Sequence, residues 1–114
     1  MSNNDLPRVD DILPKLFELL ADGKIHTYDE AIEKLADLFN LTEEQRTRTN
    51  PTNNNNSFGN LINMARAEMS RSKTGEMIST GEFRLTPCGG FVLRRYLAEI
   101  STTFLKNFEC PSRF

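Results

Sequence analysis

The sequence predicts one α+β domain that is mostly helical and carries a single small β-hairpin. Three observations lead to this class: a length of 114 residues, apolar side chains that recur every three or four positions, and two short strand-like runs around Thr80 and Gly81. A chain of this length typically builds one hydrophobic core. We therefore expect a single domain over residues 1–114, with a core at about 8–93, a C-terminal helix at about 90–108 and a short tail.

The first helix is predicted from the apolar stripe that residues 9–21 form at the helical period of 3.6 residues. If Asp11 is the N-cap, Pro14 occupies the third helical position, where a missing N–H removes no intrahelical bond. Gly23 is suited to end the helix, since glycine readily takes the left-handed conformation.

Two capping signals predict the next two helices. Thr27 and Glu30 have the spacing of a capping box, and the helix that follows should bury Ala31, Ile32, Leu35, Leu38 and Phe39. Residues 42–45 form a second box, which opens a short segment carrying Arg46 and Arg48.

An asparagine-rich loop separates these elements from a fourth helix. Seven of the eleven asparagines lie in residues 50–63, and so polar a segment favours a loop. Asn56 or Ser57 is the expected cap of a helix that ends at about Ser72. Its inner face is predicted to consist of Phe58, Leu61, Ile62, Ala65 and Met69.

The rest of the chain predicts a hairpin and a last helix. Residues 76–79 and 82–86 flank a glycine-containing turn, which is typical of a β-hairpin. Residues 90–108 then show one helical ladder of apolar side chains: Leu93, Leu97, Ile100, Phe104 and Phe108. There is no internal repeat.

Several classes of protein are excluded or disfavoured. No uninterrupted apolar run exceeds three residues, so we expect neither a membrane span nor a secretory signal, and a cytoplasmic location. Without a secretion signal, Cys88 and Cys110 are expected to be free thiols rather than a bridge. His26 is the sole histidine and is assigned a surface or capping role. With no metal-site spacing and no phosphate loop, we expect no enzyme activity, cofactor or metal.

The charge is strongly divided along the chain. Residues 1–45 carry 4 basic and 11 acidic side chains, net −7, whereas residues 46–114 carry 10 basic and 5 acidic, net +5. Within residues 46–75, only Glu68 opposes a basic set made of Arg46, Arg48, Arg66, Arg71 and Lys73. This asymmetry is compatible with a nucleic-acid-binding face on an acidic body.

The order of elements is that of a winged helix-turn-helix. The helix before the hairpin, at about 57–72, is the one that enters a major groove, and hairpin 76–86 is the wing. On a helical wheel, the side opposite the apolar face carries Asn60, Asn63, Ala67, Ser70 and Arg71. An asparagine amide matches the major-groove edge of adenine, and arginine matches guanine or phosphate. Asn56 and Ser57, at the helix start, are suited to phosphate.

Short motifs along the chain resemble the N-terminal domain of Mrr-type restriction endonucleases. The resemblance spans roughly residues 8–93 and rests on segments 19–23, 30–33, 35–37, 41–44, 58–60, 65–66 and 81–86. It implies a winged-helix DNA-binding domain that, in the full enzyme, precedes a separate nuclease domain cutting methylated foreign DNA. The nuclease part is absent from 114 residues.

The resemblance also assigns individual positions. Phe58, Asn60, Ala65 and Arg66 match the family's recognition helix, whereas Leu61 stands where arginine is usual and Met64 where tryptophan is usual. Basic residues common at the wing tip are missing, and Arg71 and Lys73, just before the hairpin, are expected to replace them. The full set of predicted DNA-binding residues is Asn56, Ser57, Asn60, Asn63, Arg66, Ala67, Ser70, Arg71 and Lys73.

Two hypotheses about partners follow. The first is a non-catalytic module that binds double-stranded DNA, methylated or unmethylated, as a fragment of a restriction enzyme or as a free-standing relative. The second is a protein-interaction or dimerisation module on the same fold, because a fold does not determine function. In a homodimer, the C-terminal helix would pair through Leu93, Leu97, Ile100 and Phe104.

Overall fold

The computed structural model describes residues 6–47, 57–108 and 110. Six helices and a three-stranded antiparallel sheet make up this part of the chain, in line with the predicted α+β class. The elements in chain order are α1 (Val9–Leu19), β1 (His26–Thr27), α2 (Tyr28–Leu38), α3 (Glu43–Thr47), α4 (Phe58–Arg71), β2 (Gly75–Ser79), β3 (Glu82–Leu85), α5 (Pro87–Tyr96) and α6 (Thr102–Lys106). Among the described residues, no helix has the length and apolar character needed to cross a membrane.

The sheet has the strand order β1-β3-β2. The predicted hairpin is confirmed: β2 pairs with β3 around a turn in which Gly81 has a φ of 86°. A third strand joins the hairpin, because His26 and Thr27 pair with Phe83 and Glu82. Strand β3 is therefore held on both sides, and the start of α2 is tied to the hairpin.

The hydrophobic core lies where α1 packs against α4. Four side chains of α4 are fully buried, as predicted: Phe58, Ile62, Ala65 and Met69. Leu61, also predicted on this face, is half-buried. On α1, the fully buried side chains are Ile12, Leu13, Leu16 and Phe17. Packing of this kind fixes which side of α4 faces outward.

Helix α1 begins at the first residue of the predicted apolar stripe, and its N-cap is not Asp11. Val9 is its first residue, and Asp11 is the third helical residue rather than the N-cap. The Asp11 carboxylate accepts a hydrogen bond from the Arg8 backbone N–H at 3.1 Å, so it stabilises the helix start from within the first turn. Pro14 consequently lies inside the helix, where it removes one backbone hydrogen bond.

The buried set of α2 is partly corrected. Ala31 and Leu35 are buried and Ile32 and Phe39 half-buried, but Leu38 is 54% exposed and Ala36 is buried instead. The reason is that α2 ends at Leu38 and the chain turns through Asn40, which has a φ of 55°. Leu41 then becomes buried against the core.

The predicted single helix over 90–108 is wrong. Helix α5 begins at Pro87, with the Thr86 hydroxyl accepting from the Gly89 N–H, and a short 3₁₀ turn, Leu97–Glu99, follows it. Ile100 is extended, with a ψ of 120°, and Ser101 caps α6. The expected apolar ladder is therefore divided: Ile100 is buried in the core, whereas Leu97 is 40% exposed.

The prediction of free thiols is also wrong. Cys88 and Cys110 form a disulfide with a Cα–Cα distance of 6.1 Å. A continuous helix over residues 90–108 would rise about 28 Å and keep the two cysteines apart. Because the chain breaks at Ile100 and turns back, Cys110 reaches the start of α5.

Candidate nucleic-acid interface

Helix α4 is the element that presents most of the predicted site. Ser57 is its N-cap, and the Ser57 hydroxyl accepts a hydrogen bond from the Asn60 backbone N–H at 3.1 Å. This confirms one of the two predicted caps, while Asn56 lies outside the described residues. Since the inner side of α4 is buried against α1, the helix offers its opposite side to solvent.

The exposed face of α4, defined here by five residues, is largely the one predicted. Asn63, Ala67, Ser70 and Arg71 are exposed, and Asn60 at the first turn is half-buried. Met64 borders this face and is 46% exposed, a position that wheel reasoning did not select. The face thus carries amides, a methyl group and a hydroxyl with an arginine at its C-terminal end.

The basic side chains are less available than the charge count suggests. Arg71 forms an ion pair with Glu68, one turn before it on α4. Arg46 donates to the Asp37 carboxylate at 2.7 Å and to the Leu41 carbonyl at 3.1 Å, which joins α3 to the end of α2. Arg48 lies outside the described residues.

Lys73 is placed differently from these arginines. It is exposed, and within the described ranges its ammonium group has no ion-pair partner. Its φ of 66° ends α4 in the left-handed conformation. The Lys73 carbonyl accepts from the Thr86 hydroxyl at 2.8 Å, so the backbone that carries this ammonium group is held in place.

Arg66 is not on the exposed face, and its predicted direct contact with DNA needs correction. Its side chain is buried, with the guanidinium carbon 5.3 Å from the Tyr28 ring centroid and 5.2 Å from that of Phe83. Burial lowers the pKa of Arg66, an effect that the neighbouring Tyr28 opposes. The family pattern identified this residue but did not reveal that it points inward.

Tyr28 is a residue that the sequence reasoning missed. It is the first residue of α2, and a Cβ atom on Gly59 would lie 2.6 Å from its hydroxyl oxygen. Glycine at position 59 therefore lets the Tyr28 hydroxyl approach α4. Burial also raises the pKa of Tyr28. Its local sequence gave no signal of this, because the contact joins residues far apart in the chain.

His26 is buried rather than at the surface, which corrects its expected position. Its Nδ1 lies 2.8 Å from Glu30 Oε2 and its Nε2 2.9 Å from Asp22 Oδ1. Burial disfavours the charged imidazole, but the hydrogen bonds to Asp22 and Glu30 outweigh it and raise the pKa of His26. The same contacts lower the pKa of Asp22 and of Glu30. The histidine thus joins the end of the first helical segment to α2.

Hairpin β2–β3 presents a mixed surface. Arg84 Nε lies 2.6 Å from Glu76 Oε2, so the basic residue of these two strands is paired with a carboxylate. Met77 and Ile78 are 56% and 40% exposed, beside a register shift between Met77 and Ser79. In the part of the chain that the structure describes, no cluster of three or more histidine, cysteine or acidic residues is arranged to hold a metal ion.

Comparison with protein families gives a match to the Mrr N-terminal domain over residues 10–95. The chain belongs to the Mrr N-terminal domain family. The match extends from α1 almost to the end of α5 and includes the sheet and the exposed face of α4. It is a match to the N-terminal domain, and a nuclease domain was not found in the chain.

Helix α6 and Cys110 lie beyond the range matched to the Mrr N-terminal domain. Leu61 and Met64, the two positions at which the resemblance implied a departure from the family pattern, are half-buried and exposed, respectively. Comparison with curated proteins and with solved structures found no match.

Proposed function

We propose that this protein is a non-catalytic module that binds double-stranded DNA for an Mrr-type restriction system. It would act as a winged helix, with α4 in the major groove and hairpin β2–β3 as the wing. The observation that carries this proposal is the exposed face of α4, where small and amide side chains replace the glutamate, lysine and glutamine side chains usual on a solvated helix. Membership of the Mrr N-terminal domain family supports the same function.

The shape of this face suits close approach to a base edge. An α-helix fits the major groove, and asparagine is a common reader of adenine there. Ala67 and Ser70 are short, so they leave room for the bases beside Asn63. Small side chains between the reading residues therefore support insertion of α4 rather than contact with phosphates alone.

The basic residues at the end of α4 are suited to phosphate contact. Lys73 is exposed, and the hydrogen bond from the Thr86 hydroxyl to its carbonyl holds its backbone in place. Arg71 can exchange Glu68 for a phosphate at low cost, because an exposed ion pair contributes at most about 1 kcal/mol. Because Arg46 and Arg71 are paired with carboxylates among the described residues near α4, non-specific affinity should be modest. Contacts with specific bases, or a second copy of the protein on the same duplex, would supply the additional affinity needed for tight binding.

The proposal is tested by fluorescence anisotropy with labelled duplexes, methylated and unmethylated, at about 50 and about 200 mM salt. Binding should weaken steeply with salt. Lys73→Ala and Arg71→Ala should each weaken binding to all sequences and lower the salt slope by about one.

Lys15→Ala is the matched control. This substitution removes one positive charge, as the other two do, but from α1, which packs against the inner side of α4. Lys15 pairs with Glu18 on the same helix. Its affinity and salt slope should equal those of the unaltered protein. Absence of salt-dependent binding to any duplex would refute the proposal.

A second candidate function is dimerisation through the C-terminal region. Leu97 is 40% exposed beside a group of half-buried aromatic rings, in which Tyr96 and Phe104 have centroids 5.4 Å apart. Of the four residues expected at such an interface, Ile100 is buried in the core, so Leu93, Leu97 and Phe104 would form it. Light scattering should then detect a concentration-dependent dimer that Leu97→Asp abolishes.

A further inference from the structure

The side-chain amide of Asn63 contacts two groups that approach it from the protein side. Its Oδ1 accepts a hydrogen bond from Arg66 Nη1 at 3.2 Å. Its Nδ2 lies 3.4 Å from the Tyr28 hydroxyl oxygen. Asn63 is nevertheless exposed, so an amide on the outer face of α4 is held by two partly or fully buried side chains.

These contacts determine which way the amide points. A guanidinium group only donates hydrogen bonds, so the atom that faces Arg66 must be the oxygen. The nitrogen then faces Tyr28, whose hydroxyl oxygen accepts. Each amide atom retains one further capacity, because Oδ1 has a second lone pair and Nδ2 a second hydrogen. Those capacities are available to a ligand in front of the helix.

Arg66 has little reason to be buried for stability alone. Among the described residues it has no carboxylate partner, and its Nε lacks a hydrogen-bond acceptor. A buried charge without a carboxylate is costly, and apolar residues of similar volume often serve as well or better. The contacts it does make are with the rings of Tyr28 and Phe83 and with Asn63.

We propose that Asn63 reads an adenine in the major groove and that Arg66 and Tyr28 are positioning residues that orient its amide for that contact. Adenine presents an N7 acceptor and an N6 donor there, which match Nδ2 and Oδ1 in the orientation described. This inference rests on the proposed DNA-binding function and adds the base that is read. Arg66 acts from behind the helix, without touching DNA.

The experiment is selection of bound sequences from a randomised duplex pool, followed by sequencing. The unaltered protein should enrich one position for adenine. Asn63→Ala, Arg66→Met and Tyr28→Phe should lose that preference while still binding the pool, and Arg66→Lys should retain part of it because lysine keeps a donor. Lys73→Ala is the matched control: it should bind more weakly with the adenine preference unchanged.

A chemical probe isolates the contact. Replacing the selected adenine by 7-deazaadenine removes the N7 acceptor and should weaken binding of the unaltered protein by up to about tenfold, because one of the two hydrogen bonds of a bidentate base contact is lost. The same replacement should leave Asn63→Ala unaffected. Thermal unfolding of Arg66→Met and Tyr28→Phe checks that both fold. Tyr28→Phe removes a single hydroxyl, so it keeps the test decisive even where Arg66→Met is destabilised.

The outcomes separate this inference from the proposed function. If the unaltered protein binds no duplex in a salt-dependent way, both are overturned. If it binds duplexes but enriches no position for adenine, this inference is overturned and the proposed function stands. If Arg66→Met and Tyr28→Phe select the same adenine as before, the positioning role is overturned. Loss of preference at that one position in all three variants would support it.

Discussion

Single side chains account for much of what distinguishes this domain. Asp10 on α1 accepts from the Thr102 backbone N–H at 2.9 Å and from the Thr102 hydroxyl at 2.8 Å. These hydrogen bonds lower the pKa of Asp10 and attach the start of α6 to α1. His26 has a comparable role between Asp22 and Glu30. At both sites, a polar side chain joins two elements of the fold through hydrogen bonds to its partners.

The His26 site predicts a particular dependence of stability on pH. Because the pKa of His26 is raised above 6.5, its contribution is complete below about pH 6.5 and is lost as the pH rises through the folded-state pKa. Asp22 and Glu30 have lowered pKa values, so their contribution is present above their ordinary values of 3.8 and 4.5 and is lost as the pH falls through the lowered ones. The contribution of the three groups together is therefore greatest between these limits.

Urea unfolding at about pH 6 and about pH 9 measures this effect. The unaltered protein should lose stability on going to the higher pH by an amount that His26→Gln does not lose. His26 is the sole histidine, so its NMR titration gives the folded-state pKa directly. A pKa at or below 6.5 would contradict the assignment.

At the scale of elements, contacts between α5 and its neighbours depend on glycine. A Cβ atom on Gly89 would lie 2.0 Å from the Thr74 backbone carbonyl oxygen and 2.6 Å from a methyl group of Leu85. Gly90, the next residue of the same helix, has only Arg94 Nη1 nearby, at 3.5 Å. Adjacent glycines therefore have different roles: one permits close packing of α5 on the hairpin, and the other does not.

This difference predicts opposite effects of two substitutions. Gly89→Ala should lower the free energy of unfolding by about 2 kcal/mol or more, because a backbone carbonyl cannot move aside easily. Gly90→Ala should be neutral or raise it by up to about 1 kcal/mol, since alanine favours helix more than glycine does. Chemical denaturation of the two variants provides the comparison. Equal effects would argue against tight packing at Gly89.

At the scale of the whole molecule, the C-terminal segment is attached to the rest at two points. The Cys88–Cys110 disulfide joins the start of α5 to the residue beyond α6, and Asp10 binds the first residue of α6. Leu105 of α6 is fully buried in the common core. The chain after α5 is therefore part of the fold, although it lies outside the range matched to the family.

Reduction of the disulfide should lower the free energy of unfolding by about 3 kcal/mol, as expected for a bond that closes a loop of this length. Thermal unfolding with and without reductant measures the change. A variant with Cys88→Ala and Cys110→Ala should unfold like the reduced protein and should not respond to reductant. A response in that variant would mean that the reductant acts elsewhere.

The sequence by itself determined the first four helices, the hairpin and the outward face of α4. These features follow from signals within a few residues, such as apolar spacing, the Thr27 and Ser57 caps and the glycine of the hairpin turn. The tertiary structure alone decided the inward turn of Arg66, the break at Ile100 and the pairing of Cys88 with Cys110. Each depends on contacts between distant parts of the chain, as between Asp10 and Thr102, which are 92 positions apart. Local patterns do not report such contacts, because they arise only when the helices pack.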